Sequence, residues 1–138
     1  MVSDNIEIES VTFNEGLEKI EGFAFRGCKS LEQINIPSTL KYLGEYAFSE
    51  CTSLQSITIP DSVTEIGEYA FCSCEALETL VLPDEITSIG DGAFDGCENL
   101  VLLVKTESVG EEYAIENDFL YEEKGFREFS LLHRKNVL

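Results

Sequence analysis

Apolar and polar positions recur along this chain in a fixed block of 23 residues. In the block that opens LEQINIP at Leu31, the apolar residues Leu31, Ile34 and Ile36 end in a period-two alternation around Asn35. That spacing predicts a very short strand with Ile34 and Ile36 turned inward and Asn35 outward. Pro37 ends the strand, because proline has no N–H to give to a ladder, and it opens a turn. Leu40 and Leu43 restore apolar contacts three residues apart, and Gly44 marks a second bend. EYAF then predicts one helical turn or tight loop with Ala47 and Phe48 inward. Cys28, Cys51, Cys74 and Cys97 keep this interval, as do Phe25, Phe48, Phe71 and Phe94, then Pro37, Pro60 and Pro83, then Gly44, Gly67 and Gly90.

A three-residue strand and a single helical turn bury little by themselves, so one block has no closed core. Stacking solves this, because neighbouring copies pair their short strands at about 4.8 Å and merge their apolar positions. The expected fold is an α/β repeat solenoid with a short-stranded parallel sheet on one face and short helical turns or loops on the other. Strands are expected near Thr12, Asn35, Thr58, Val81 and Leu103. Residues 1–123 form the solenoid in this reading, with a degenerate first repeat at 8–30, repeats at 31–53, 54–76 and 77–99, and a terminal repeat with capping helix at 100–123. The first copy has Asn14 at the turn proline and Glu21 at the bend glycine. Lys105 is read as replacing the inward residue found at Ile36, Ile59 and Leu82, so that the repeat stops there. Ser108 with Glu111 three residues on has capping-box spacing and predicts a helix whose Val109, Tyr113 and Ala114 pack on the last copy. Residues 124–138 are read as a basic, aromatic cap or tail, with Phe119, Tyr121, Phe126, Phe129, Leu131 and Leu132 forming a strand or hairpin that turns at Lys124 and Gly125.

The pattern L-x-x-I-x-I-P-x-x-L-x-x-I-G-x-x-A-F-x-x-C, from about Ile8 to Asn99, resembles the leucine-rich repeat subclass of BspA-like bacterial surface proteins and Treponema pallidum leucine-rich repeat proteins. The resemblance implies a right-handed solenoid and a binding or adhesion module without catalytic machinery. It also implies a secreted or cell-surface setting. Residues 1–14 have neither a positive start nor an apolar core, so no signal peptide is read, and a cytoplasmic setting is the alternative.

Composition sharpens this picture. Of 138 residues 43% are hydrophobic, so 27 acids against 9 bases, a net charge of −18, sit on a globular composition and not a disordered one. Such a charge repels phosphate backbones and anionic lipid heads, so neither nucleic acid nor direct membrane insertion is expected. The charge is uneven: residues 1–123 carry −21 and residues 124–138 carry +3.

The chemistry-bearing residues have structural readings. Four cysteines in register behave as small buried hydrophobes, and Cys72, off register, reads as a half-exposed free thiol. Glu45, Glu68 and Asp91 follow the bend glycine as acids placed against a turn's N–H groups, not as a calcium site. No zinc-spaced histidines, Walker loop or G-x-S-x-G occur, and His133 is the single histidine, so no enzyme, metal or cofactor is expected.

The candidate binding residues are those read as projecting from the sheet: Gln33 and Asn35, Ser56 and Thr58, Thr79 and Val81, Leu102 and Val104. The function expected is a monomeric, non-catalytic module that binds a protein or glycan surface through this face. An intracellular scaffold, and an acidic mimic that competes for basic partners, are the alternatives.

Overall fold

A computed structural model describes residues 7–124. Short strands recur once per block: β1 (Ser10–Thr12), β3 (Gln33–Asn35), β5 (Ser56–Thr58), β7 (Thr79–Val81) and β9 (Val101–Val104). They run parallel with neighbours one copy apart, Ser10 opposite Gln33 and Ser56 opposite Thr79. The blocks therefore stack into a parallel-strand solenoid. Each proline carbonyl closes the turn that follows it, accepting from Leu40, Val63 or Ile86 N–H at 3.1, 3.0 and 3.4 Å.

A second sheet was not legible in the pattern. Two-residue strands β2 (Lys19–Ile20), β4 (Tyr42–Leu43), β6 (Glu65–Ile66) and β8 (Ser88–Ile89) pair in parallel along another side. The residues read only as apolar contacts before the bend glycine thus also carry a backbone ladder. Gly44, Gly67 and Gly90 follow these strands, where a side chain has no room: a Cβ on Gly67 would lie 2.6 Å from Glu45 N and 2.8 Å from Gly44 C. Glu21 stands at the same place in the first copy, where no described residue of a preceding copy lies against it.

The EYAF segments are tight turns, the loop alternative and not helical turns, and they form a third ladder. Tyr46, Phe48 and Glu50 donate their N–H groups to Glu68, Ala70 and Cys72 carbonyls at 3.0, 2.8 and 2.8 Å, and the same three bonds join the first to the second copy and the third to the fourth. All these N–H groups point toward the following copy. The geometry requires left-handed backbone at Phe23, Tyr46 and Tyr69 and again at Glu50 and Ser73, with φ between 55° and 63°. Such a conformation costs about 1–2 kcal/mol per non-glycine residue, and the bonds it aims offset that strain. In the last copy, where no following copy supplies acceptors, glycine stands at both places, Gly92 and Gly96.

The core inside these three ladders is columnar. Phe25, Phe48, Phe71 and Phe94 stack at 5.4 to 5.5 Å, with Phe13 edge-on at one end and Tyr113 and Phe119 edge-on at the other. Cys28, Cys51, Cys74 and Cys97 are buried beside them and form no disulfide. Cys51, Cys74 and Cys97 donate to the carbonyls of Phe25, Phe48 and Phe71 at 3.3, 3.1 and 3.1 Å. Burial pushes the Cys51 and Cys97 thiols up to about 12 and Cys74 well above its ordinary value, with neighbouring thiols adding to the effect at Cys51 and Cys74.

Helix α1 (Val109–Glu116) closes the last copy. Ser108 Oγ accepts from Glu111 N–H at 3.1 Å, and the Glu111 carboxylate accepts from Glu107 N–H, one residue before the cap, at 2.9 Å. Gly110, Tyr113 and Ala114 are buried, while Val109, expected inward, is exposed. Gly110 takes that role because a Cβ there would press on Leu82 Cδ1 at 3.1 Å. Strand β10 (Leu120–Glu123) then adds in parallel beside β9. Lys124 fastens its end, donating to Leu82 O at 2.5 Å and pairing with Asp84 at 2.7 Å. That hydrogen bond is the main reason the Asp84 carboxyl titrates below its ordinary value. Of the strand or hairpin expected from Phe119 to Leu132, Tyr121 lies in β10, and everything beyond Lys124, with the rest of the expected cap at 124–138, lies outside the described residues.

Three outcomes follow. Gly67→Ala should lower stability by about 1–3 kcal/mol in urea unfolding, whereas Glu21→Ala should leave the midpoint in place; equal midpoints for both would contradict the close-approach role. Ellman's reagent should modify one thiol quickly in the folded protein, Cys72, and the other four only on unfolding; uniform reaction of all five would overturn the buried column. Because the Asp84 pKa is depressed in the fold, its contribution is complete above the ordinary carboxyl value near 3.8 and is lost as pH falls through the lower folded value. Asp84→Asn should therefore lower the melting temperature at neutral pH by a difference that shrinks as pH falls below about 3.8; a pH-independent difference would refute the pair.

Candidate functional site

The outward residues of the main sheet form two rows. One runs Ser10, Gln33, Ser56, Thr79, Val101 and Leu120, the other Thr12, Asn35, Thr58, Val81, Leu103 and Glu122. Gln33, Asn35, Ser56, Thr58 and Thr79 are exposed and Val81 half-buried, as the alternation predicted.

Leu102 and Val104 do not belong to this face: both are fully buried. The earlier copies place two residues between the first inward leucine and the next inward position, as in Leu77 to Leu80, but the last copy places one between Leu100 and Leu102. Thr79 therefore pairs with Val101 and Val81 with Leu103, a register one residue short of 23. Val104 fills the inward position, so Lys105 falls where the earlier copies have proline and is exposed. Since residues 100–104 are all apolar, alternation alone does not choose the register. The signal that would have chosen it is Lys105 itself, whose charge fits an outward turn position.

The face changes character along its length. Its first three strands and Thr79 of the fourth present amides and hydroxyls, and its last part presents Val81, Val101, Leu103 and Leu120, all half-buried. It is also interrupted: β1 pairs with β3 and β5 with β7, yet β3 and β5 do not pair. Glu32 N–H donates to Glu9 O at 2.8 Å and Glu78 N–H to Gln55 O at 2.9 Å, but no such bond runs from Gln55 to Glu32. A cleft of about 470 Å³ opens there, lined by Gln33, Asn35, Ser56 and Thr58 with Glu32 and Pro60.

Other candidate chemistry does not assemble. Among the described residues no group of three or more His, Cys, Asp or Glu side chains comes together to hold a metal ion. Glu45, Glu68 and Asp91 lie exposed beside the third ladder. No helix of the described residues is long and apolar enough to cross a membrane.

No curated protein matches the chain in sequence. Among solved structures it is similar to a leucine-rich repeat protein from Bacteroides ovatus, at 28% identity with a TM-score of 0.72 over 87% of this chain and 37% of that one. The Treponema pallidum leucine-rich repeat protein matches at 33% identity and a TM-score of 0.72, over 73% of this chain and 48% of that one. A leucine-rich cell surface protein from Faecalibacterium prausnitzii matches at 28% identity and a TM-score of 0.63, over 78% and 35%. The chain thus spans less than half the length of each. The BspA-type leucine-rich repeat region model matches residues 3–121 in six copies, and with the 23-residue stacking described above it places the chain in the BspA-type leucine-rich repeat family.

Proposed function

We infer that the chain is a non-catalytic binding module that holds a protein partner against its main sheet. The observation that carries this reading is the composite face: rows of exposed amides and hydroxyls run into the half-buried apolar end formed by Val81, Val101, Leu103 and Leu120. Protein interfaces combine such an apolar centre with a polar rim. Six strands spaced at about 4.8 Å give a face roughly 24 Å across and one short strand deep, so a standard contact would also take in the loops along its edges. Long repeat surfaces bind partners in this way, and the cell-surface description of the F. prausnitzii relative supports an adhesive role at a cell surface.

The acidity of the chain fits the back and edges of the solenoid, and the sheet face itself carries few charges, so shape and hydrogen bonding dominate over steering. The test is capture of a cross-linked partner from the native host, identified by mass spectrometry and reconstituted as a purified pair. Changing Val81 and Leu103 together to lysine should weaken that pair at least tenfold, with the far-ultraviolet dichroism spectrum unchanged. Undiminished affinity would overturn the sheet-face reading.

A further inference from the structure

Helix α1 turns Gly110, Tyr113 and Ala114 toward the last copy and leaves its other side bare. On that side Val109 is 36% and Ile115 45% exposed, two of the three large hydrophobic side chains exposed among the described residues. Helical spacing sets them on either side of Glu112. An open groove of about 530 Å³ runs along this surface, and its rim carries Glu107, Glu111, Glu112 and Glu116. Among the described residues no lysine or arginine pairs with any of the four. Glu116 also stands at the unfavourable end, because the last turn holds no basic residue and a helix C-terminus favours a cation. Exposed apolar side chains ringed by uncompensated acids fit a segment that is apolar and basic together.

The chain itself carries such a segment, and it begins at the right place. Residues 125–138 hold Arg127, Arg134 and Lys135 against the single acid Glu128, with Phe126, Phe129, Leu131 and Leu132 between them. Residues 1–123, by contrast, carry −21. Strand β10, which leads into the segment, packs against α1. Its last ladder bond, from Lys124 N–H to Val104 O at 2.8 Å, brings the chain beside Lys105, whose carbonyl accepts from the N-cap hydroxyl of Ser108 at 2.6 Å. The segment therefore starts next to the first turn of α1. Its fourteen residues reach up to about 46 Å when extended, and the eight residues of α1 span about 12 Å, so it covers the helix with length to spare. Attachment at that point gives it a local concentration on the order of millimolar, which favours it over a separate chain of the same composition.

We propose that residues 125–138 dock on the bare side of α1 in the same molecule, with Phe126 and Phe129 covering Val109 and Ile115 and with Arg127, Arg134 and Lys135 meeting Glu107, Glu112 and Glu116. The helix is then packed on both sides, and the end of the stack is taken up by the chain's own segment. This assignment does not depend on what the main sheet binds.

The test uses the full chain and amide hydrogen exchange followed by NMR. Amides of residues 126–135 should exchange at least tenfold more slowly than in a synthetic peptide of residues 125–138. Val109→Lys with Ile115→Lys should return them to the peptide rates, while the Tyr113 and Ala114 amides on the buried side of α1 keep their protection. Arg127→Glu, Arg134→Glu and Lys135→Glu together should do the same with every helix residue left in place. In an equal mixture of nitrogen-14 and nitrogen-15 protein, a carbodiimide should join Lys135 to Glu112 or Glu116 within molecules of one isotope. Peptide-like exchange in the unchanged chain would leave the face to an outside partner and overturn the proposal, and so would protection that survives the reversal of the three bases. Links that join the two isotopes would assign the face to the segment of a second copy and overturn it as well.

Discussion

Each copy of the repeat must meet the next through bare backbone on three sides, and the rest of the structure follows from that requirement. Two sides are parallel ladders of two to four residues, and the third is the column in which Tyr46, Phe48 and Glu50 donate to the following copy. Every bond in the third column points the same way along the stack, which extended or helical backbone does not provide. Left-handed residues at regular intervals provide it. The strain is distributed one residue at a time and offset at each step by a bond, so it is tolerated only while another copy follows. Gly92 and Gly96, where no copy follows to accept such bonds, take the same conformation without the side-chain strain, as Gly27 does in the first copy.

Side chains inherit the spacing that the backbone imposes. Rings at equivalent positions are held about one strand spacing apart, so Phe25 through Phe94 stack face to face, and outside them Phe23, Tyr46 and Tyr69 do the same at 4.9 and 5.1 Å. Face-to-face stacking leaves an uncovered ring at each end. Phe13 closes one end edge-on and Tyr113 with Phe119 the other, which is the arrangement the ring quadrupole favours. Cysteine suits the inner position because its thiol is small and still supplies a donor to the phenylalanine carbonyl of the preceding copy. Burial in that column raises the thiols' pKa and so disfavours the reactive thiolate.

The fold was legible wherever the sequence states it several times. Three in-register copies of proline, glycine, Ala-Phe and cysteine define the stack, and Ser108 with Glu111 defines the capping helix. Features that depend on backbone direction were not legible: tyrosine at positive φ has no sequence signature, and the two-residue strands are too short to show a period. The sheet face was legible through Val81 and misread at Leu102 and Val104, because a run of five apolar residues fits either register. The opening between β3 and β5 lay beyond pattern reading altogether. Its one hint is Asn35, a residue depleted in strands, at a position where the next copy has threonine.

That opening is affordable for the same reason the stack is robust. A single backbone hydrogen bond contributes about 0.5–1.5 kcal/mol net, and water satisfies groups that remain exposed, so an unpaired stretch at the surface costs little. Between the second and third copies the other two ladders stay intact, Phe48 lies on Phe71, and Cys74 Sγ donates to Phe48 O. A fold held by one sheet alone would part at such a step. Here attachment on the other sides separates the task of holding copies together from the task of closing the sheet.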